Sequence, residues 1–249
     1  MARSLFCILT CFALASFSLG CAHRHHPLHW SYEGMGSPEF WGTLSPEYAS
    51  CNGRNQSPIN IEKTVRAELS PIEFKYTPGA YELVNNGHTL QVNFRQGSTI
   101  KIEGEEFALK QFHLHAPSEN KIKGATFPME AHLVHANSAG DLAVIGVMFK
   151  IGDANPTLEK AWDELPLLKG QTASIAGHFS ANGLLPRSGE YYRFNGSLTT
   201  PPCSEGVRWF VMKESMTASH DQIEMFSAAL GGHHNNRPVQ PLHARLVLE

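Results

Sequence analysis

Two histidines one residue apart introduce the chemistry of this chain. In Gln111-Phe112-His113-Leu114-His115 the imidazoles stand at i and i+2. On a β-strand that spacing turns both to one face while Phe112 and Leu114 turn to the other, so both rings can reach one ion. A second segment, Glu130-Ala131-His132-Leu133-Val134-His135, follows after an intervening turn. Paired antiparallel with the first, it would set a third imidazole beside the other two. His132 shares parity with Glu130 and Val134 and is the expected ligand; His135 points to the opposite face and reads as a hydrogen-bonded core histidine. Three neutral imidazoles leave a divalent ion its full charge and one open position, the pattern of catalytic zinc. Each ligand ring also needs an acceptor on its other nitrogen. Gln111 and Glu130 each lie two residues from a ligand on the same face, where a strand supplies that contact directly.

The elements that must hold these rings are strands. From about Ile72 to Val211 short alternating runs dominate: Leu90–Phe94, Thr99–Ile102, Phe112–His115, His132–His135, Leu142–Phe149 and Trp209–Val211. Gly, Pro and Asn punctuate them, the signature of a large twisted, mostly antiparallel sheet. Helical periodicity is confined to about Pro156–Leu165 and Ser219–Leu230, the latter with Ser219 as N-cap. Residues 23–60 read as an irregular wrapping segment with two buried tryptophans, Trp30 and Trp41. No repeat or linker divides the chain. The expected fold is a single β-dominated α+β domain built on one central sheet with few short helices.

At 249 residues and 42% hydrophobic, the chain can bury a sizeable core and is too apolar to be disordered. Lys+Arg number 20 against 23 Asp+Glu, for a net charge of −3. That leaves no basic footprint, and nucleic acid is not an expected partner. The 14 histidines stand out instead. His23, His25, His26 and His29 read as a solvated tail, and His233-His234 as a loop.

Arg3, the apolar run Leu5–Leu19 and small residues after it describe a secretory signal over residues 1–22, too short to span a bilayer. Two processing readings stand: cleavage after Ala22 frees the protein, whereas cleavage before Cys21 leaves a lipid-bearing cysteine. The mature chain then occupies residues 23–249 and is exported, periplasmic or secreted, with no transmembrane segment. Cys51 and Cys203 remain as an even pair for an oxidising compartment. Closing so long a loop stabilises a fold by about 4–5 kcal/mol at most in the chain-entropy picture; two separate buried thiols are the alternative. Self-association into a homodimer is left open.

Beyond the ligand strands, Asn85–His88 (NNGH), Arg54–Ile61 (RNQSPINI), Ser197–Pro202 (SLTTPP) and Arg237–Leu242 (RPVQPL) occur in order with QFHLHAPSEN and PMEAHLVH. Together they resemble the α-class carbonic anhydrases, over about His29 to Arg245, with a signal and cysteine pair like those of the exported bacterial form. The resemblance implies zinc on His113, His115 and His132, with carbon dioxide and bicarbonate as substrate and product. It implies that Thr199 accepts a hydrogen bond from zinc-bound hydroxide and donates one to Glu119. It puts a proton shuttle at His88 and water-holding groups at Tyr32, Asn86 and Gln91. Val134, Val144, Leu198, Val207 and Trp209, with Thr199 and Thr200, match the wall against which carbon dioxide sits. Asn120-Lys121 depart from the family's usual His and small residue, a change expected to alter packing and not chemistry.

Zinc brings the pKa of bound water to about 7, carbonic anhydrases being the type case for that value. Releasing the proton to bare water is then uphill by roughly 9 pK units, about 12 kcal/mol, which caps turnover near 10⁴ per second. An imidazole removes that cap. The same chemistry predicts weak esterase activity. Two rivals are a non-catalytic binding module on the same scaffold, opposed by the intact ligand set, and a zinc peptidase, opposed by the absence of His-Glu-x-x-His.

Overall fold

The computed structural model describes residues 29–162, 165–175 and 179–249. The expected signal (1–22), Cys21 and the histidines at 23, 25 and 26 lie outside them. In chain order the described strands are β1 (Asn60–Ile61), β2 (Glu73–Lys75), β3 (Ala80–Asn85), β4 (Leu90–Phe94), β5 (Thr99–Ile102), β6 (Glu105–His115), β7 (Lys121–Ile122), β8 (Met129–Ala136), β9 (Leu142–Ile151), β10 (Thr172–Ser174), β11 (Tyr191–Ser197), β12 (Glu205–Met212) and β13 (Met216–Ala218). Three short α-helices accompany them: α1 (Trp41–Leu44), α2 (Pro156–Ala161) and α3 (His220–Ala229).

Eleven strands form one sheet whose main path runs β10-β3-β4-β6-β8-β9-β12-β11. Pairing is antiparallel except where β12 and β13 run parallel to β9. Alternation sorts the central strands onto two cores. Phe112 and Leu114 of β6, Ala131 and Leu133 of β8 and Ile145 and Val147 of β9 face the larger core with Phe226 of α3. Val144, Met148, Trp209 and Val211 face a smaller core with Ile59 and Ile61. Strand β9 is therefore apolar on both sides, which is why Leu142–Phe149 reads as an unbroken hydrophobic run.

Some expectations shift. Helix α2 ends at Ala161, and Trp162 closes it by donating its N–H to Leu158 and Glu159 carbonyls. Pro166 lies close beyond, and proline disfavours helix in the residue before it. Helix α3 begins where expected, with Ser219 and Gln222 forming a reciprocal capping box. Strand β11 was not evident in the sequence because Asn195 and Gly196 weaken its pattern; its register with β12 overrides local propensity. Trp41 is fully buried, but Trp30 is only half-buried and lines a cavity.

His135 is the core histidine its parity predicts. It is fully buried; Nδ1–H donates to the Ala143 carbonyl at 3.2 Å and Nε2 meets the Tyr76 hydroxyl at 2.7 Å. Burial holds its pKa down to about 3, against an ordinary value near 6.5. A folded-state pKa below the unfolded one means that the stabilisation is complete above about pH 6.5 and is lost progressively as pH falls towards 3. At about pH 4.5 the loss amounts to about 3 kcal/mol. Denaturant titrations across that range are expected to show this acid slope, reduced in His135→Gln; an unchanged slope in the variant would remove His135 as its source.

Candidate active site

Register does what the sequence pattern requires. In the antiparallel β6–β8 pair, His113 stands opposite His132, His115 opposite Glu130 and Gln111 opposite Val134. The ring centroids of His113, His115 and His132 lie 5.0, 5.3 and 4.6 Å apart pairwise. One nitrogen from each of the three comes within 4.8 Å of the others. Gly146 of β9 is the neighbour of His132 on the other side. A Cβ there would come within 3.2 Å of Glu130 Oε1 and 3.3 Å of Val211, so the bare backbone lets Glu130 close on His132.

Each ring has a polar partner beside its outer nitrogen, hydrogen-bonded for His113 and His115 and an ion-pair contact for His132. His113 Nδ1 bonds Gln111 Oε1 at 2.8 Å, His115 Nδ1 donates to the Asn235 carbonyl at 2.7 Å, and His132 Nε2 meets Glu130 Oε1 at 3.0 Å. The nitrogens left to converge are thus Nε2 of His113 and His115 and Nδ1 of His132. His115 Nε2 is buried with no hydrogen-bond partner, an unsatisfied lone pair that a cation would take up. Burial, aided by His132, holds His113 down to about 3 and His115 well below its ordinary value. Burial opposes charge on His132 too, but Glu130 and Glu119 outweigh it and raise that ring. Neutral imidazoles at His113 and His115 are the form that binds a metal. The donor set fits zinc: three nitrogens, and no carboxylate in the group.

A cavity of about 250 Å³ opens over these rings. Tyr32, Asn86, His88, Gln91, Val134, Val144, Leu198, Thr199, Thr200 and Trp209 all line it, as do Trp30 and Thr89. Val207 does not. It is buried beside Val144 and Trp209 in the smaller core, on the face of Trp209 but one row further along β12. Glu119 does not line the cavity either; it is buried, its Oε1 accepting the Arg237 N–H at 2.8 Å and its Oε2 lying 3.5 Å from His115 Nε2 and 3.9 Å from His132 Nδ1. Burial pushes Glu119 up to about 7, against the lowering effects of His132, the Arg237 amide and the Thr199 hydroxyl. His88 sits at the mouth, half-buried, its ring stacked on Trp30 with centroids 3.7 Å apart. Burial, then His29 and Lys169, lower it to about 4. Beyond His88 a wider cavity of about 490 Å³ leads outward; on its rim His233 meets Glu33 at 3.0 Å.

The eukaryotic-type carbonic anhydrase profile matches residues 36–249. The chain belongs to the carbonic anhydrase family. It is 52% identical over 224 residues to a carbonic anhydrase of Klebsiella pneumoniae, covering 89% of this chain and 91% of that one. It is 46% identical over 240 residues to that of Pectobacterium atrosepticum, covering 95% and 98%. The solved α-carbonic anhydrase of Thermovibrio ammonificans, in complex with the inhibitor sulfanilamide, superposes with a TM-score of 0.87 at 48% identity, over 89% of this chain and 99% of that one. The chain is therefore an enzyme, a carbonic anhydrase, and its family supports carbon dioxide hydration as the activity.

The other motifs of this carbonic anhydrase brace the wall. Cys51 and Cys203 are bridged across a separation of 152 residues. Cys203 N–H donates to the Thr200 carbonyl at 2.8 Å and Leu198 N–H to that of Ser204 at 3.0 Å. Gln56 Nε2 donates to the Cys203 carbonyl, and the buried Arg237 guanidinium to Gln56 Oε1 and the Ser57 and Cys51 carbonyls. Asn120 does more than alter packing. It is fully buried, and both its backbone N–H and its side-chain amide donate to Glu130, at 2.8 Å each. Asn235 was missed from the sequence because a backbone carbonyl leaves no residue-type signal, and it lies 120 positions from the ring it orients. Thr89 and Trp30 could have been found: each stands two residues from a cavity residue already singled out, Gln91 and Tyr32.

Proposed function

We propose that this chain catalyses the zinc-dependent, reversible hydration of carbon dioxide to bicarbonate and a proton. The observation that carries this is the convergence of three imidazoles, His115 and His132 buried and His113 half-buried, each with a polar partner beside its outer nitrogen. His113, His115 and His132 would hold the ion, with Gln111, Glu130 and the Asn235 carbonyl fixing their orientation. Bound there, zinc supplies a Lewis acid that ionises water near neutral pH. The protein does the rest. Thr199, steered by Glu119, accepts from the nucleophile and aims its lone pair at the substrate. Val134, Val144, Leu198 and Trp209 offer an apolar wall that suits a small uncharged molecule, with Thr200 at its edge. Val207 packs beside Val144 and Trp209 without reaching the cavity.

His88 takes the proton outward, with Tyr32, Asn86 and Gln91 holding the intervening waters. Asn86 Oδ1 is engaged by the His88 and Thr89 amides, so its NH₂ is the group left for water. At a pKa of about 4, His88 accepts a proton from a group near 7 at a cost of about 4 kcal/mol. That is still some 8 kcal/mol better than bare water and leaves the transfer step far faster than 10⁴ per second. The apolar wall admits activated esters as well, for a weak esterase side activity.

We also propose that residues 1–22 are an export signal, ending after Ala22 or before a lipidated Cys21, and that 23–249 form the catalytic domain in the periplasm or outside the cell. The Cys51–Cys203 bridge favours an oxidising compartment, and no helix among the described residues is long and apolar enough to cross a membrane.

Stopped-flow hydration on the purified protein, with zinc assayed on the same sample, tests the reading. Stoichiometric zinc and turnover above about 10⁴ per second in strong buffer are expected. In weak buffer His88→Ala is expected to slow turnover roughly tenfold or more, with rescue by imidazole. Absence of both zinc and hydration would overturn the function; full activity in His88→Ala without rescue would remove the shuttle alone.

A further inference from the structure

Glu130 is an unusual anion. It is fully buried, and no Lys or Arg among the described residues forms a salt bridge with it; His132 is its only ionisable ion-pair partner. Its charge is held by hydrogen bonds. Oε2 accepts the backbone N–H groups of Glu119 and Asn120 at 2.9 and 2.8 Å. Oε1 accepts the Asn120 side-chain amide at 2.8 Å and faces His132 Nε2 at 3.0 Å. Asn120 is fixed in turn: its Oδ1 accepts the Ile59 N–H at 3.0 Å and its carbonyl the Ser118 hydroxyl at 3.0 Å.

We infer that Asn120 is a positioning residue for the metal centre: its amide pins Glu130 Oε1 against His132 and so sets how strongly His132 Nδ1 can bind the ion. This rests on the zinc-centre reading above. The physical argument is one of polarity. A neutral donor holds the carboxylate in place without cancelling its charge, so the negative charge remains available to the one ring it touches. A cationic donor would absorb that charge, and an acceptor at the same place would turn the carboxylate away. Loss of a group that bonds a ligand ring changes metal affinity by about 10–100-fold, and Asn120 acts through such a group, Glu130.

Asn120→Leu isolates the effect, because it nearly keeps the size of the side chain and removes the donor towards Glu130 without adding a second acid that could share a proton with the carboxylate. The expected result is a zinc Kd, measured by chelator competition, weakened by about 10–100-fold, and an altered visible spectrum of the cobalt-substituted protein. A second variant, Asn120→Asp with Glu130→Gln, exchanges amide and carboxylate and can re-form the hydrogen bond between them. Its apo-protein Tm is expected to recover towards the parent's while its zinc Kd stays weak, since the charge now sits one residue further from His132. A zinc Kd within about twofold of the parent's in either variant, whatever the Tm, overturns the inference. A parent protein that binds no zinc overturns both the inference and the metal-centre reading beneath it, whereas a parent that binds zinc beside unaffected variants overturns the inference alone.

Discussion

Replacement of His115 by Ala is expected to abolish zinc retention and carbon dioxide hydration together. His115 is as enclosed as His132, each 1% exposed; its Nδ1–H is committed to the Asn235 carbonyl, and its Nε2 makes no hydrogen bond, with Glu119 Oε2 3.5 Å away. Removing the ring takes away a direct donor, so the loss should exceed the roughly 10–100-fold typical of outer partners. Two imidazoles remain, one short of the three protein ligands that catalytic zinc uses. The variant is also expected to be less stable, because the Asn235 carbonyl loses its ring donor in a buried setting. That cost stays modest, since Asn235 keeps its side-chain bonds to the Ala116 N–H and the Leu114 carbonyl. Zinc content after dialysis, read beside the initial hydration rate and a folding check by circular dichroism, separates the effects. A folded variant retaining stoichiometric zinc and a near-parental rate would take His115 out of the ligand set.

The legible part of this site was the part written in side-chain parity. Period-two alternation put His113 and His115 on one face, and the same rule chose His132 over His135; the β6–β8 register then set His113 and His132 face to face. Gln111 and Glu130 were legible for the same reason, being i±2 neighbours on strands. Three kinds of feature were not. A backbone carbonyl such as that of Asn235 carries no residue-type signal. A buried amide such as Asn120 looks like any loop polar residue until the carboxylate it holds is known. Depth within a face is invisible to parity, so Val207 and Trp209 read alike although only Trp209 reaches the cavity. The sheet itself was legible where alternation ran unbroken, and lost at strands such as β11 whose register with a partner, and not propensity, makes them strands.

Replacing Thr199 by Val is expected to lower the hydration rate by about 10²-fold, as removal of one preorganised hydrogen-bonding group does elsewhere. Valine keeps the shape and loses the hydroxyl, so the comparison isolates the hydrogen bond. The hydroxyl is worth that much only because it is held in place before substrate arrives. Thr199 is 5% exposed, and its loop is closed by Leu198 N–H to the Ser204 carbonyl and Cys203 N–H to that of Thr200. The bridge to Cys51 ties that loop to the segment gripped by Arg237. Glu119 supplies the direction. In the proposed arrangement the Arg237 amide takes Oε1 and Oε2, which makes no other hydrogen bond, receives the threonine proton, so that the hydroxyl offers a lone pair towards the cavity. Thr199→Ser retains donor and acceptor and should stay within a few-fold of the parent. Glu119→Gln puts an amide where the acceptor was and can reverse the hydroxyl, so in the Thr199→Val background it should add little. A Val variant with parental rates, or fully additive losses in the double variant, would show that the two residues do not act as one orienting unit.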